Sequence, residues 1–256
     1  MKQKVSDYIA EYIAQWGIRD VFTVTGGGAM HMNDAFGHHK MLHCTYQHHE
    51  QACAMAAEAY ARLGNKMAAV CVTTGPGATN AITGVLGAWM DSIPMLVFSG
   101  QARYATTVSA SGLPLRSMGV QECNIVPVVK SLTKYAHMIV HPENIRYHLE
   151  KALYLAVNGR PGPVWLDIPL DVQGAVIETD DLKAYDPEEN PEQQPREIKD
   201  ETVEQILDKL QESKRPVLSP GNGVRLAGAH EDFYQLAELL GVPVVTGMSS
   251  VDAIES

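Results

Sequence analysis

Residues 44–62 of the chain read CTYQHHEQACAMAAEAYAR, and this stretch decides the fold class. It passes from a short run of β-branched and aromatic side chains directly into an alanine-rich segment with the composition of a helix. A strand that leads at once into a helix is half of a β-α-β unit. His48, His49 and Glu50 stand at the junction. The stretch therefore predicts an α/β fold and raises the question of whether Glu50 caps the helix or has a chemical role.

The same alternation of strand and helix continues on both sides of this stretch. A first amphipathic helix is predicted over about residues 3–16, with Gly17 as its stop signal. Short apolar runs then predict six strands, at residues 20–25, 41–46, 67–74, 93–100, 133–140 and 162–169. Helices predicted between them complete a doubly wound, mainly parallel six-stranded sheet with helices on both faces.

Three polar features occupy the loops that follow the predicted strands. They are the glycine run Gly26–Gly28, the glutamate Glu50, and the motif GPGATN at residues 75–80. Right-handed crossovers place all such loops along the carboxyl edge of the sheet. A longer polar loop, residues 101–119, follows the fourth strand. We therefore expect a candidate site at this edge, with Glu50 and Pro76 close together.

The chain is predicted to contain one whole domain and part of a second. Residues 1–177 form the first domain, and residues 178–200, which are acidic, contain three prolines and lack apolar periodicity, form a linker. Residues 201–256 alternate helix and strand, which predicts the start of a central α/β domain. Such a unit alone leaves edge strands and a sheet face uncovered. We expect the domain to continue beyond these residues, in a truncated chain or a natural split subunit.

Composition limits the classes of partner and the compartment. The formal net charge of −10 disfavours nucleic acid or an anionic membrane as a partner. The sequence has no run of about 18 apolar residues, and its first residues are amphipathic rather than a signal peptide. The four cysteines, which show no CxxC spacing, are Cys44, Cys53, Cys71 and Cys123. We expect free thiols in a reducing compartment, and therefore a cytoplasmic protein.

The glycine run resembles a dinucleotide-binding loop, since it follows a strand and opens a helix. Gly26 and Gly28 satisfy two positions of that fingerprint, but His31 occupies the third glycine position. The run favours a tight turn through which a ligand can approach the backbone, with a purely structural turn as the alternative.

Histidines are concentrated in the same region, at His31, His38, His39, His43, His48 and His49. Metal ligands on a helix are usually four residues apart, whereas the neighbours His48 and His49 point in different directions. We expect solvated or pocket-lining histidines and no metal site.

The motif TTGPGATNA at residues 73–81 imposes a particular path from strand to helix, and Thr79 or Asn80 is suited to cap the helix that follows. Glu50 also has a structural interpretation, because an acidic side chain in a first helical turn stabilises the helix macrodipole. The alternative is a partly buried carboxylate whose desolvation raises its pKa and lets it carry a proton. Residue types alone leave both open.

Three motifs, in this order, resemble the N-terminal, pyrimidine-binding domain of thiamine diphosphate enzymes, specifically the acetolactate synthase-like branch. They are HHEQACAMAAEAYAR at residues 48–62, GPGATN at residues 75–80, and GRPGPVWLDIPLDVQ at residues 159–173. The segments KRPVLSPGNGVRLAGA and ELLGVPVVTG resemble the start of the family's central domain. The resemblance therefore covers the whole chain.

The resemblance implies decarboxylation of a small 2-oxo acid and carboligation with thiamine diphosphate. Glu50 would hydrogen-bond a ring nitrogen of the cofactor's aminopyrimidine and control the proton transfer that activates the thiazolium carbon. Gln121, on the substrate side, is the second implied catalytic residue. The implied cofactor-binding set is Thr25, Gly26, Glu50, Pro76, Asn80 and Gln121. Mg²⁺ would be held with the diphosphate by a C-terminal domain whose GDG and NN motifs are missing from these residues, and FAD is an optional further cofactor.

Departures from the family pattern concern the acceptor substrate. The first loop reads FTVTGG at residues 22–27, where the family has FGYPGG. The segment RSMGVQE at residues 116–122 keeps only the last two residues of the family's GTDAFQE. Tyr135 replaces the histidine that follows TK in the family. Condensation of pyruvate to acetolactate is the first expectation, and another 2-oxo acid decarboxylase or carboligase the second. A homo-oligomer, or a subunit carrying the diphosphate-binding domain, is the expected partner, and the chain alone is expected to be inactive. The alternative from another class is a non-catalytic assembly or regulatory paralogue.

Overall fold

The computed structural model describes residues 1–194 and 197–254. The chain divides into two compact units, Met1–Gln194 and Pro195–Ser256. Each unit is described separately below.

The first unit is built on a six-stranded sheet in which every neighbouring pair of strands is parallel. Its spatial order is β3-β2-β4-β5-β7-β6, and a separate antiparallel pair joins β1 to β8. The strands are β1 Lys2–Lys4, β2 Asp20–Thr23, β3 His43–Tyr46, β4 Ala69–Val72, β5 Met95–Gln101, β6 Tyr135–Met138, β7 Pro163–Pro169 and β8 Val176–Glu178. The α/β fold class and the parallel six-stranded sheet predicted from the sequence are confirmed.

Helices cover both faces of this sheet. They are α1 Val5–Trp16, α2 Met30–His38, α3 Glu50–Gly64, α4 Pro76–Asn80, α5 Ile82–Met90, α6 Val108–Ser111, α7 Ile125–Val129, α8 Ile145–Val157 and α9 Leu170–Gly174. On one face α1 contacts α2, α8 and α9, and on the other α3 packs against α5. The two central strands β4 and β5 are buried at every residue, because helices cover them on both sides.

The first predicted helix begins two residues later than expected. Gln3 and Lys4 lie in β1, where they pair with Ile177 and Val176 of β8. The helix proper starts at Val5 and buries Ile9 and Ile13 on its apolar face. The antiparallel pair was not predicted, because three-residue strands leave little periodicity in a sequence.

Most of the segment predicted as a linker packs onto the first unit. Leu182 and Tyr185 are buried. The backbone N–H of Tyr185 donates to Glu150 Oε2 at 2.8 Å, and Arg146 donates to the Leu182 carbonyl oxygen. The first unit therefore continues to Gln194 rather than ending at residue 177. Leu182 and Tyr185 anchor this stretch. Two isolated apolar side chains in an acidic, proline-containing segment form no periodic pattern from which their burial could be predicted.

The second unit contains α10 Asp200–Glu212, α11 Gly223–Leu226 and α12 His230–Leu240. The two strands predicted here reduce to one parallel bridge between Leu218 and Val244. Within residues 1–194 and 197–254, no helix is both long and apolar enough to cross a membrane.

Candidate functional site

The carboxyl edge of the sheet brings Glu50 and the GPGATN motif together. Glu50 is the first residue of α3, which follows β3, and Asn80 is the last residue of α4, which follows β4. Asn80 Nδ2 donates to Glu50 Oε2 at 2.7 Å and lies 3.3 Å from His49 Nε2. The convergence predicted from the sequence is thus confirmed for these two loops, and the Glu50 carboxylate has a fixed partner.

Small residues surround the partly buried Glu50 carboxylate. A Cβ at Gly77 would lie 3.3 Å from Glu50 Oε1 and 2.8 Å from Thr73 Cγ2. Gly84 in α5 and Ala54 in α3 are in equally close contact, since a Cβ at Gly84 would lie 2.6 Å from Ala54 Cβ. Gly77 therefore lets the GPGATN turn pack directly against Thr73 and the Glu50 carboxylate, and Gly84 lets α5 pack directly against α3.

The GPGATN turn also contacts the segment that carries Gln121. Gly75 has φ +56° and ψ −105°, a conformation open mainly to glycine. A Cβ there would lie 1.9 Å from the Gln121 carbonyl oxygen. Gln121 itself has a left-handed backbone with φ 57°. The turn from Gly75 to Gly77 therefore contacts Gln121 at one end and Glu50 at the other.

Glu122 holds the long loop that precedes it. Its carboxylate accepts backbone N–H groups from Val108 at 2.7 Å, Met118 at 2.9 Å and Gly119 at 3.0 Å. Burial opposes ionisation of this carboxyl, but the three N–H donors outweigh it and lower the pKa of Glu122. Glu122 thus hydrogen-bonds to both ends of the loop from residue 108 to residue 119.

The glycine run packs against the end of β4. A Cβ at Gly26 would lie 2.4 Å from Thr73 Cβ, and the Gly28 N–H donates to Thr73 Oγ1 at 3.1 Å. The Gly26 N–H donates to Asn33 Oδ1 at 3.3 Å. Close packing against Thr73 and Thr74 explains glycine at positions 26 and 28, whereas a Cβ at Gly27 would meet no atom within 4 Å. The structural interpretation thus accounts for two of the three glycines.

An open hollow of about 370 Å³ lies over the glycine run, lined by Thr25, Gly26, Gly27, Met30 and Asn33. Thr25 is exposed there. The hollow offers backbone N–H groups and one hydroxyl to a ligand, but the structure does not place Thr25 or Gly26 in contact with Glu50.

Side chains expected to cap a helix have other partners. Thr79 Oγ1 donates to the Pro76 carbonyl oxygen at 3.2 Å, and the Asn80 side-chain amide donates to Glu50. The prediction that Thr79 or Asn80 caps the following helix is wrong, because α4 starts at Pro76, ahead of both, and α5 follows with no side-chain cap.

Three of the histidines contact three different acidic side chains. His38 lies against Asp34, His39 against Glu11 and His43 against Asp20. In the part of the chain that the structure describes, no three His, Cys, Asp or Glu side chains are grouped closely enough to hold a metal ion.

Sequence reasoning missed a fully buried carboxylate behind the site. Asp167, in β7, accepts hydrogen bonds from Ser99 Oγ at 2.6 Å and from Gln101 Nε2 at 3.1 Å. Burial raises its pKa to about 7, against the lowering effect of these two donors. The available signal was an aspartate inside the apolar run VWLDIP, where an ionisable group is costly unless it has donors.

A second hollow lies at the opposite, amino edge of the sheet, with a volume of about 350 Å³. Lys134 and Arg160 line it with Trp89 and Met90. Lys134 Nζ donates to the Asn158 carbonyl oxygen, and burial lowers the pKa of Lys134 to about 8. Glu192 lines the same hollow, so its walls carry charges of both signs.

Comparison with known proteins matches two families of domain. The family model described as the N-terminal TPP binding domain of thiamine pyrophosphate enzymes matches residues 3–123. The model of the central domain of thiamine pyrophosphate enzymes matches residues 203–256.

Curated relatives cover nearly all of this chain. Acetolactate synthase 2, chloroplastic, from Zea mays is 35% identical over 251 residues, which are 95% of this chain and 37% of the relative. The acetolactate synthase large subunit of Lactococcus lactis is 33% identical over 94% of this chain and 40% of its own length. The large subunit from Corynebacterium glutamicum is 35% identical over 90% and 35%, respectively. The chain thus spans 35–40% of the length of these relatives.

Proposed function

Since the chain belongs to the thiamine pyrophosphate enzyme family, in its acetolactate synthase-like branch, we propose that it supplies the pyrimidine-binding half of an active site that decarboxylates and condenses 2-oxo acids. Pyruvate is the proposed substrate and acetolactate the proposed product. Another 2-oxo acid is the alternative, because the segment at residues 116–122 departs from the family pattern.

One observation carries this proposal. The Glu50 carboxylate lies at the carboxyl edge of a parallel sheet, oriented by Asn80 at 2.7 Å and bordered by Gly77. Ligands of open α/β sheets bind at this edge. A carboxylate that only stabilised a helix dipole would not need an amide partner from another loop.

The residues around Glu50 fit the cofactor's pyrimidine ring. Asn80 holds one oxygen of Glu50, so we propose that the other faces a ring nitrogen, with Gly77 as the small residue beside it. When bound, thiamine diphosphate would supply a carbon acid whose deprotonated form adds to the substrate carbonyl, and it would stabilise the negative charge left by decarboxylation. Glu50 holds and transfers the proton that this chemistry requires. Gln121 is proposed to face the 2-oxo acid, and Thr25, Gly26 and Pro76 to border the cofactor.

The other cofactors and partners are part of the proposal. In the family that the sequence resembles, another domain holds the diphosphate and Mg²⁺, so we propose that the 256-residue chain alone does not turn over pyruvate. We propose FAD as an optional further cofactor. Absorbance of the purified protein near 450 nm tests for it.

We also propose that the chain assembles with a second copy, or with a subunit that carries the diphosphate-binding domain. Equilibrium sedimentation at tens of micromolar tests self-association. The free thiols of Cys44, Cys53, Cys71 and Cys123 suit the reducing cytoplasm.

The experiment that tests the function uses the complete assembly, which is this chain together with the domain or subunit that holds the diphosphate. Thiamine diphosphate, Mg²⁺ and ¹³C-labelled pyruvate are added to it. The proposal expects labelled carbon dioxide and acetolactate in the NMR spectrum. Carbon dioxide with a different ligation product would favour another acceptor. The absence of turnover with every 2-oxo acid supplied would instead favour the non-catalytic paralogue, to which the altered first loop at residues 22–27 points.

A further inference from the structure

The side-chain amide of Gln101 has a fixed orientation at the end of β5. The residue is 1% exposed. Its Nε2 donates to Asp167 Oδ2 at 3.1 Å and to the Cys123 carbonyl oxygen at 2.8 Å, while Oε1 accepts the Ala102 N–H at 3.0 Å. The opposite orientation would set Oε1 against two acceptors, so only one is stable.

Asp167 is held as firmly as Gln101. Its other oxygen accepts from Ser99 Oγ, and Ser99 in turn accepts the indole N–H of Trp165 at 2.8 Å. Four side chains of the neighbouring strands β5 and β7 thus form a buried polar network in which every named donor meets an acceptor. The network lies inside the sheet, behind the carboxyl edge that carries Glu50.

The Cys123 carbonyl connects this network to the candidate site. Gln121, two residues earlier, has its left-handed turn in contact with Gly75. Gly77, two residues further along that loop, borders Glu50. A continuous series of contacts therefore runs from the interior of the sheet to both sides of the site.

We propose that Gln101 is a positioning residue: held by Asp167, it fixes the Cys123 carbonyl and thereby keeps the Gln121 turn seated beside the Gly75–Gly77 loop. The inference rests on the proposed function, in which Gln121 faces the 2-oxo acid. Loss of the Gln101 donors frees the Gln121 segment and weakens acceptor binding, while the proton chemistry at Glu50 is retained. Misplacement of a substrate-facing group by about 1 Å can cost on the order of 100-fold in rate.

Two variants on the same strand separate positioning from general stability. Gln101→Met keeps the length of the side chain and removes both donors. Ser99→Ala is the matched control, because it removes a buried hydrogen bond to Asp167 without touching Cys123. Asp167→Asn is the conservative variant, since its amide can accept from Gln101 and donate to Ser99.

The first measurement is hydrogen exchange of the backbone amides of residues 119–124 in the 256-residue chain. Gln101→Met is expected to accelerate exchange at least tenfold relative to Ser99→Ala, and Asp167→Asn to match the wild type. Equal exchange in Gln101→Met and Ser99→Ala overturns the proposal. If Gln101→Met does not fold, the wild-type Gln101 side-chain amide protons decide: slow exchange supports the proposal, and exchange as fast as that of an exposed glutamine overturns it.

The second measurement is made in the cofactor-loaded assembly. Gln101→Met is expected to raise the KM for the 2-oxo acid about tenfold more than Ser99→Ala, with the exchange rate of the thiazolium proton unchanged. Faster amide exchange with an unchanged KM would mean that Gln101 has a purely structural role, and would overturn the proposal. If the assembly acts on no 2-oxo acid, the proposed function fails, while amide exchange still decides whether Gln101 holds the Gln121 segment.

Discussion

Gly75→Ala should strongly destabilise the isolated chain. The added Cβ would lie 1.9 Å from the Gln121 carbonyl oxygen, which is backbone and has little freedom to move. The residue would also have to adopt φ +56° with ψ −105°, outside the regions that a side chain tolerates.

The magnitude follows from these two costs. A backbone in a sparsely populated region costs about 1–3 kcal/mol, and forcing extra volume into a packed contact costs a further 1–3 kcal/mol or so. The sum, about 2–6 kcal/mol, is a large part of the 5–15 kcal/mol or so that stabilises a typical domain. At about 2–4 °C per kcal/mol for a domain of this size, Tm should fall by roughly 4 °C to more than 15 °C.

Thermal unfolding followed by circular dichroism measures this effect, with Gly87→Ala as the control. Gly87 lies within α5 and has open space where a Cβ would stand, so alanine there should raise stability by about 0.5–1 kcal/mol. A Gly75→Ala variant that melts within 2 °C or so of the wild type would refute the contact between the GPGATN turn and Gln121.

Three further outcomes follow from the same contacts. Asn80→Ala should lower the free energy of unfolding by about 1–3 kcal/mol in urea titrations, because it removes a hydrogen bond to the Glu50 carboxylate, and Asn80→Asp should cost more by placing a second negative charge there. Burial raises the pKa of Asp167 from 3.8 to about 7, so the folded chain holds a proton on Asp167 that the unfolded chain releases between these pH values. The free energy of unfolding is therefore highest below pH 3.8 and falls as pH rises towards 7, and Asp167→Asn should flatten this fall. Glu122→Gln should speed tryptic cleavage at the exposed Arg116, whereas Glu143→Gln, at an exposed carboxylate away from the loop, should not.

The sequence was sufficient for the features that depend on chain order. Parallel strands alternating with helices can be arranged in few ways, and right-handed crossovers bring every strand-to-helix loop to one edge. This rule alone predicts that Glu50 lies near the loop that carries Pro76. The hydrogen bond from the Asn80 amide to Glu50 was not predicted, because the sequence suited Asn80 equally well to a helix cap.

The remaining features depend on contacts between distant residues. Gln101 and Asp167 are 66 positions apart, and only the register of β5 against β7 brings them within 3.1 Å. The left-handed turn at Gln121 is not at a glycine, so the sequence does not indicate it, and its carbonyl oxygen lies where a Cβ at Gly75 would stand. Leu182 and Tyr185 are likewise buried by α8, which a local search for periodicity does not consider.

The central claim is that Glu50 handles a proton rather than merely ending a helix. The measurement that tests it most directly is exchange of the thiazolium proton of thiamine diphosphate into heavy water, followed by NMR in the complete assembly of the wild type and Glu50→Gln. Glu58→Gln, on the same helix and paired with Arg62, controls for the loss of a helix charge. The account predicts that Glu50→Gln slows exchange by about 10²–10⁴ and that Glu58→Gln leaves it unchanged. Equal exchange rates in Glu50→Gln and the wild type would contradict the account and make Glu50 a helix-terminal charge.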